Sequence, residues 1–186
     1  MDGSLRRGFT IVELLMSAAI VSLLVAVTLP GLRAARLVAQ ELACKASLRA
    51  LGTATINYYG DWSDVPLPPT QCIDLPAGRL ELVRALENYL DAAPPSLEER
   101  VRPWACPSDT LRWPDTGGSY VYYPRILYET FVVQTPHTTL RAIMQTTHQR
   151  IGLFFDWYPQ HGPRFNVVYF DGGVDSLREW VGYTYR

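Results

Sequence analysis

Three sets of residues carry chemistry. The first is Glu13, a carboxylate inside an apolar run that begins at Phe9 and ends at Pro30, behind Arg6, Arg7 and Gly8. A carboxylate in such a run is costly unless something pairs with it, so it marks function by default. The second set is Cys44, Cys72 and Cys106, which allow three pairings and leave one thiol over. The third lies in the C-terminal part: His137, His148 and His161, with Asp156, Asp171 and Asp175. The histidines lack metal-ligand spacing of the His-x3-His kind. Cys106 beside a histidine would have the chemistry of a nucleophile pair. No spacing brings the two together, and Pro107 points to a turn there. The three aspartates are the oxygen donors that calcium takes, although they lack a calcium-loop spacing. A non-enzyme without a cofactor is expected, with calcium as the ion that Asp156, Asp171 and Asp175 would hold.

These residues sit in a chain of 186 residues with net charge −1. That length suits one ordinary domain plus an extension. The charge balance supplies no field that would draw nucleic acid, so no nucleic-acid partner is expected. The head is rich in Ala, Leu and Val, whereas Tyr, Trp and Pro lie mostly beyond residue 50. Outside the cytoplasm a disulfide is permitted; the alternative is three buried thiols.

The elements that position these groups follow from periodicity. Residues 9–29 would span about 32 Å as a helix, close to the hydrocarbon thickness of a bilayer. The hydroxyls of Thr10, Ser17, Ser22 and Thr28 can bond back to helix carbonyls, but Glu13 cannot hide that way. Pro30-Gly31 would ordinarily stop the helix. Beyond it, however, Leu32, Ala35, Ala39, Leu42, Ala46, Leu48, Leu51 and Thr55 recur at helical spacing. One helix over residues 10–59 with a bend near Pro30 is therefore expected. Arg33, Arg36, Lys45 and Arg49 form a basic stripe on it, read as solvated or facing lipid headgroups.

After Gly60 comes a proline-rich loop to residue 77, then a short helix over 79–91. Pro94-Pro95 breaks it, and Ser96-x-x-Glu99 fits a capping box that would open another turn of helix. Strands are expected over 119–123, 126–134, 150–156, 165–170 and 174–181, with a helix over 138–148. Asp171-Gly172-Gly173 is the strongest hairpin turn signal in the chain. The fold class is α+β, with a long N-terminal helix against a C-terminal antiparallel sheet.

Three mechanisms use a basic leader before an apolar run. A secretory signal needs a small-x-small site after the run, and Ala26-Val27-Thr28 is a poor one. A plain uncleaved anchor leaves Glu13 unexplained. Cleavage between Gly8 and Phe9 instead gives a new ammonium on Phe9 close to Glu13. One subunit's carboxylate can then neutralise a neighbour's ammonium, but only in register.

Here the residues resemble a known family. Gly8-Phe9-Thr10-Ile11-Val12-Glu13-Leu14-Leu15 is similar to the prepilin cleavage and methylation motif of type IV pilins and type II secretion pseudopilins. Pro30 stands where that family has a proline. The resemblance implies that the prepilin peptidase cuts after Gly8 and methylates Phe9, with Glu13 and Pro30 serving assembly. A further likeness is to a bacterial pseudopilin-like group with a C-terminal His-x9-Asp-Gly signature, here His161 to Asp171-Gly172. Cys44-x3-Leu48-x2-Leu51-Gly52 with Asn57-Tyr58-Tyr59, Cys106-Pro107-Ser108-Asp109 and Ser119-Tyr120-x-Tyr122 resemble the same group. The chain departs from it at Tyr123-Pro124, where an asparagine is usual, and Cys72 matches nothing in it. Its two recurrent cysteines imply a Cys44–Cys106 disulfide.

The resemblance implies a pilin-like fold in four parts: a leader over 1–8, a transmembrane and assembly helix over 9–29, its amphipathic continuation over 30–60, and a periplasmic domain over 61–186. It implies a structural subunit of a type II secretion or type IV pilus-like assembly, single-pass in the bacterial inner membrane with its N-terminus cytoplasmic. Its partners would be other pilin or pseudopilin subunits, the prepilin peptidase, an inner-membrane assembly platform and membrane lipid. The alternative from another class is a membrane-tethered periplasmic module that binds a polysaccharide or a secreted substrate.

Overall fold

A computed structural model describes residues 10–61, 73–122 and 152–178. The leader, the Gly8–Phe9 pair, Cys72, His137 and His148 lie outside these residues. So do the strand expected over 126–134 and the helix expected over 138–148. The chain divides within its first helix into two compact units, Met1–Ala39 and Gln40–Arg186.

Helix α1 (Ile11–Asp61) runs for 51 residues and continues through Pro30. Proline costs a helix one backbone hydrogen bond, and here the helix continues on both sides of it. Thr10 opens it. The Glu13 N–H donates to Thr10 Oγ1 at 3.3 Å, while Thr10 N–H and Oγ1–H donate to Glu13 Oε2 at 2.9 and 2.8 Å. This is a Thr-x-x-Glu capping box. The hydroxyls of Ser17, Ser22 and Thr28 donate to the carbonyls of Glu13, Ala18 and Val25. Throughout the first unit the helix is exposed on every side, Ile11 at 78% and Leu23 at 67%.

The second unit is an α+β arrangement of the pilin-like kind. The remainder of α1 is joined by α2 (Glu81–Leu86), a 3-10 turn (Glu87–Tyr89) and a single-turn helix α3 (Trp113–Thr116). Strands β1 (Tyr120–Tyr122), β2 (Gly152–Asp156), β3 (Phe165–Tyr169) and β4 (Val174–Leu177) form one antiparallel sheet in that order. The core gathers Leu48 and Leu51 of α1, Leu82 and Leu86 of α2, Trp104, and Tyr122, Phe154 and Val168 of the sheet.

Several expectations are corrected. The buried face of α1 begins at Cys44 and comprises Cys44, Ser47, Leu48, Leu51, Gly52, Ala54, Thr55 and Tyr59. Leu32, Ala35, Ala39, Leu42 and Ala46 of the expected face are exposed. Small residues hold the interface because the sheet comes close: a Cβ on Gly52 would sit 2.6 Å from Val168 Cγ2. The helix expected over 79–91 is shorter, and none forms at 96–102. Ser96 Oγ does accept from the N–H groups of Glu98 and Glu99, at 3.1 and 3.4 Å. The stretch lies between Pro95 and Pro103, too short to repay helix nucleation, and Arg102 before Pro103 is disfavoured in the helical region.

The hairpin forms at the expected Asp-Gly. Its loop is wider than a two-residue turn, since Val168 pairs with Val174. Asp171 Oδ1 accepts from Gly173 N–H at 2.8 Å, and Gly172 takes a φ of 79°. A side chain is strained at that φ, which is why glycine stands there.

Candidate functional site

Two sites emerge, one in each unit, and each is described by itself. In the first unit Glu13 is exposed and engaged by Thr10. Around it the apolar side chains from Ile11 to Leu29 are exposed within this unit. The helix is long and apolar enough to cross a membrane. A continuous apolar surface of this size requires lipid or other protein around it.

Residues 3–29 match the prokaryotic N-terminal methylation motif. The match covers Gly8, Phe9 and Glu13 and stops one residue before Pro30. It supports a type IV pilin-like, prepilin-type head, and with the exposed helix it fits single-pass anchoring in the inner membrane. A structural subunit that assembles with its like, not an enzyme, is what such a motif suggests. No curated protein and no solved structure matches the chain.

In the second unit the motif stretches converge on one spot. Cys44 of α1 and Cys106 are joined by a disulfide, with Cα atoms 5.2 Å apart. His161, in the loop between β2 and β3, sets Nε2 3.2 Å from Cys106 Sγ. A disulfide sulfur can only accept, so this contact requires the proton on Nε2. The Cys106 N–H donates to Ser119 Oγ at 2.9 Å, and Ser119 N–H donates to the Trp104 carbonyl at 2.9 Å. Asp109 of the same Cys-Pro-Ser-Asp stretch is buried. Its two oxygens accept from the N–H groups of Leu111, Arg112 and Trp113 at 2.9 to 3.0 Å, which starts α3.

The pairing of a histidine with Cys106 is thus formed in space, where sequence spacing gave no sign of it. It does not make a nucleophile, because the sulfur is bonded to Cys44. Burial lowers the His161 pKa, with nearby Glu41 opposing and Lys45 assisting. Its imidazole is therefore neutral near pH 7. Glu41 and Lys45 form an ion pair at 2.6 Å, so Lys45 of the basic stripe is partnered.

The aspartates proposed for calcium are not gathered. Asp156 is fully buried at the end of β2, Asp171 is bonded into the hairpin turn, and Asp175 is exposed on β4. Among the described residues, the cluster that brings three potential metal-ligand atoms together is Cys44, Cys106 and His161. Asp156 heads a ladder across three strands. Its Oδ2 accepts from Asn166 N–H and Nδ2 at 3.0 and 2.8 Å, and Asn166 Oδ1 accepts from Ser176 Oγ at 2.8 Å. Asp156 Oδ1 has no partner among the described residues, and burial pushes this carboxyl up to about 7.

Sequence reasoning met Asp109 and Ser119 only as parts of motif stretches, with no role assigned, and left out Asn166 and the Thr10–Glu13 box. The last was readable as Thr-x-x-Glu before an apolar run. The others are polar residues among apolar ones, whose burial depends on long-range packing.

An open groove of about 510 Å³ lies beside α1 within this unit. Ala43, Ala46, Ala50 and Ala54 of α1 line it, together with Leu90 and Arg102.

Proposed function

We propose that the chain is a pseudopilin or pilin-like structural subunit of a type II secretion or type IV pilus-like assembly. The observation that carries this reading is a prepilin-type motif on a helix whose apolar sides are all uncovered. The prepilin peptidase cuts between Gly8 and Phe9 and methylates Phe9. The leader over 1–8 stays cytoplasmic, residues 9–29 wait in the membrane, and the domain carrying His161 and Asp171-Gly172 projects into the periplasm. On extraction by the assembly platform, apolar side chains exchange lipid for neighbouring helices. The Phe9 ammonium of one subunit displaces Thr10 as the partner of another's Glu13. Their mutual neutralisation is worth most in register, which makes Glu13 a selector of assembly geometry.

The capping box favours a second reading. Thr10 gives Glu13 a partner within one chain, so a plain anchor no longer leaves the carboxylate idle. In that reading the domain is a tethered binding module, with the groove beside α1 available to a secreted polymer. Glu13→Ala separates the two. On the assembly reading the variant is processed to begin at Phe9 but enters no filament and supports no secretion. Normal secretion or piliation with Glu13→Ala refutes assembly and favours the tether. Mass spectrometry of the mature protein is a separate check, since any start other than Phe9 refutes the cleavage.

A further inference from the structure

The disulfide and its histidine have a second arrangement open to them. The Sγ atoms of Cys44 and Cys106 and a ring nitrogen of His161 all lie within 4.8 Å of one another. Both cysteines are fully buried, and His161 is partly exposed, which leaves an approach from its side. Two thiolates and one imidazole form a soft donor set, the kind that selects Zn²⁺ or Cu⁺ over calcium or magnesium. We propose that, when the Cys44–Cys106 bond is open, Cys44, Cys106 and His161 form a binding site for one thiophilic d¹⁰ cation such as Zn²⁺. Disulfide and metal site are then alternative states of one cluster.

The chemistry balances. A dithiol reductant transfers two electrons and two protons to the Cys44–Cys106 bond and leaves as its own disulfide. Metal binding then releases the two thiol protons. The His161 proton must move from Nε2 to Nδ1, which frees the Nε2 lone pair facing Cys106. At ordinary zinc–sulfur lengths of about 2.3 Å, tetrahedral ligation sets the sulfurs roughly 3.8 Å apart. Rotation of the two cysteine side chains supplies that opening. A newly made chain with free thiols meets the same choice before oxidation. The ion would hold α1, the Cys106 loop and the β2–β3 loop together until the disulfide replaces it.

The test uses the full chain in detergent with Cys72→Ser, so that the third thiol does not contribute. After reduction with dithiothreitol and its removal under argon, Zn²⁺ is titrated against a chromophoric chelator. Tryptophan fluorescence and thiol alkylation are followed alongside. One zinc per reduced chain is expected, with both thiols protected from alkylation, and none in the oxidised chain. His161→Gln should weaken binding by at least about tenfold, the scale on which perturbing a metal site lowers affinity. Equal affinity in native and His161→Gln chains overturns the proposal, because the histidine is then no ligand. So does a reduced chain whose thiols stay open to alkylation, or one that unfolds and is not refolded by Zn²⁺.

Discussion

Asp156 offers the sharpest measurement. Its carboxyl is fully buried, with one oxygen held by Asn166 and the other without a partner among the described residues. Burial raises its pKa from 3.8 to about 7; the Asn166 bonds oppose the rise, and Asp109 and Glu41 add to it. Between those values the folded chain keeps a proton that the unfolded chain has lost. Stability then falls as pH rises, because the folded state binds more protons. Each pKa unit is worth about 1.4 kcal/mol, so a gap of roughly three units costs about 4 kcal/mol by pH 7 and no more above it. Asp156→Asn keeps the amide oxygen for Asn166 and cannot ionise. Its stability relative to the native chain should therefore improve by about 4 kcal/mol between pH 4 and pH 8, whatever the constant cost of the swap. Urea unfolding of the full chain in detergent, followed by tryptophan fluorescence, reads this directly, since Trp104 is buried in the same unit. Parallel profiles for the two proteins across that range would refute a carboxyl that stays protonated in the fold.

Other perturbations test the packing around the cluster. Replacing Cys44 and Cys106 by alanine releases a cross-link across 62 residues, which chain entropy sets at about 4 kcal/mol in urea unfolding; a loss under about 1 kcal/mol would contradict the bond. Gly52→Ala drives a methyl against Val168, and a destabilisation of about 1–3 kcal/mol is expected on the same assay. Asp109→Ala strips three N–H groups of a buried acceptor, so about 1–3 kcal/mol should be lost and amide exchange over Leu111–Trp113 should quicken. Asp109→Asn, which keeps an acceptor oxygen, should recover part of that loss.

The sequence alone determined what depends on neighbours along the chain. The run from Phe9 to Pro30, the helix that continues past it, the β2–β4 strands and the Asp-Gly turn are written in composition and period. The hydroxyls of α1 bond back to its own carbonyls for the same reason. The prepilin-type head needs no folding to be read, since it is a linear motif. Tertiary structure decided where burial starts and which polar groups meet. The α1 pattern is equally apolar before and after Cys44, and only the sheet's reach selects the second part. His161 finds Cys106 across 55 residues because the β2–β3 loop returns to the helix, and no local spacing encodes that return. Asp156 reads as an ordinary strand-end carboxylate until β1 and β3 pair on either side of it and exclude water. Glu13 stands between the two cases. Its cost in an apolar run was plain from the sequence, while its present partner, Thr10, is one that the proposed cleavage and assembly would replace.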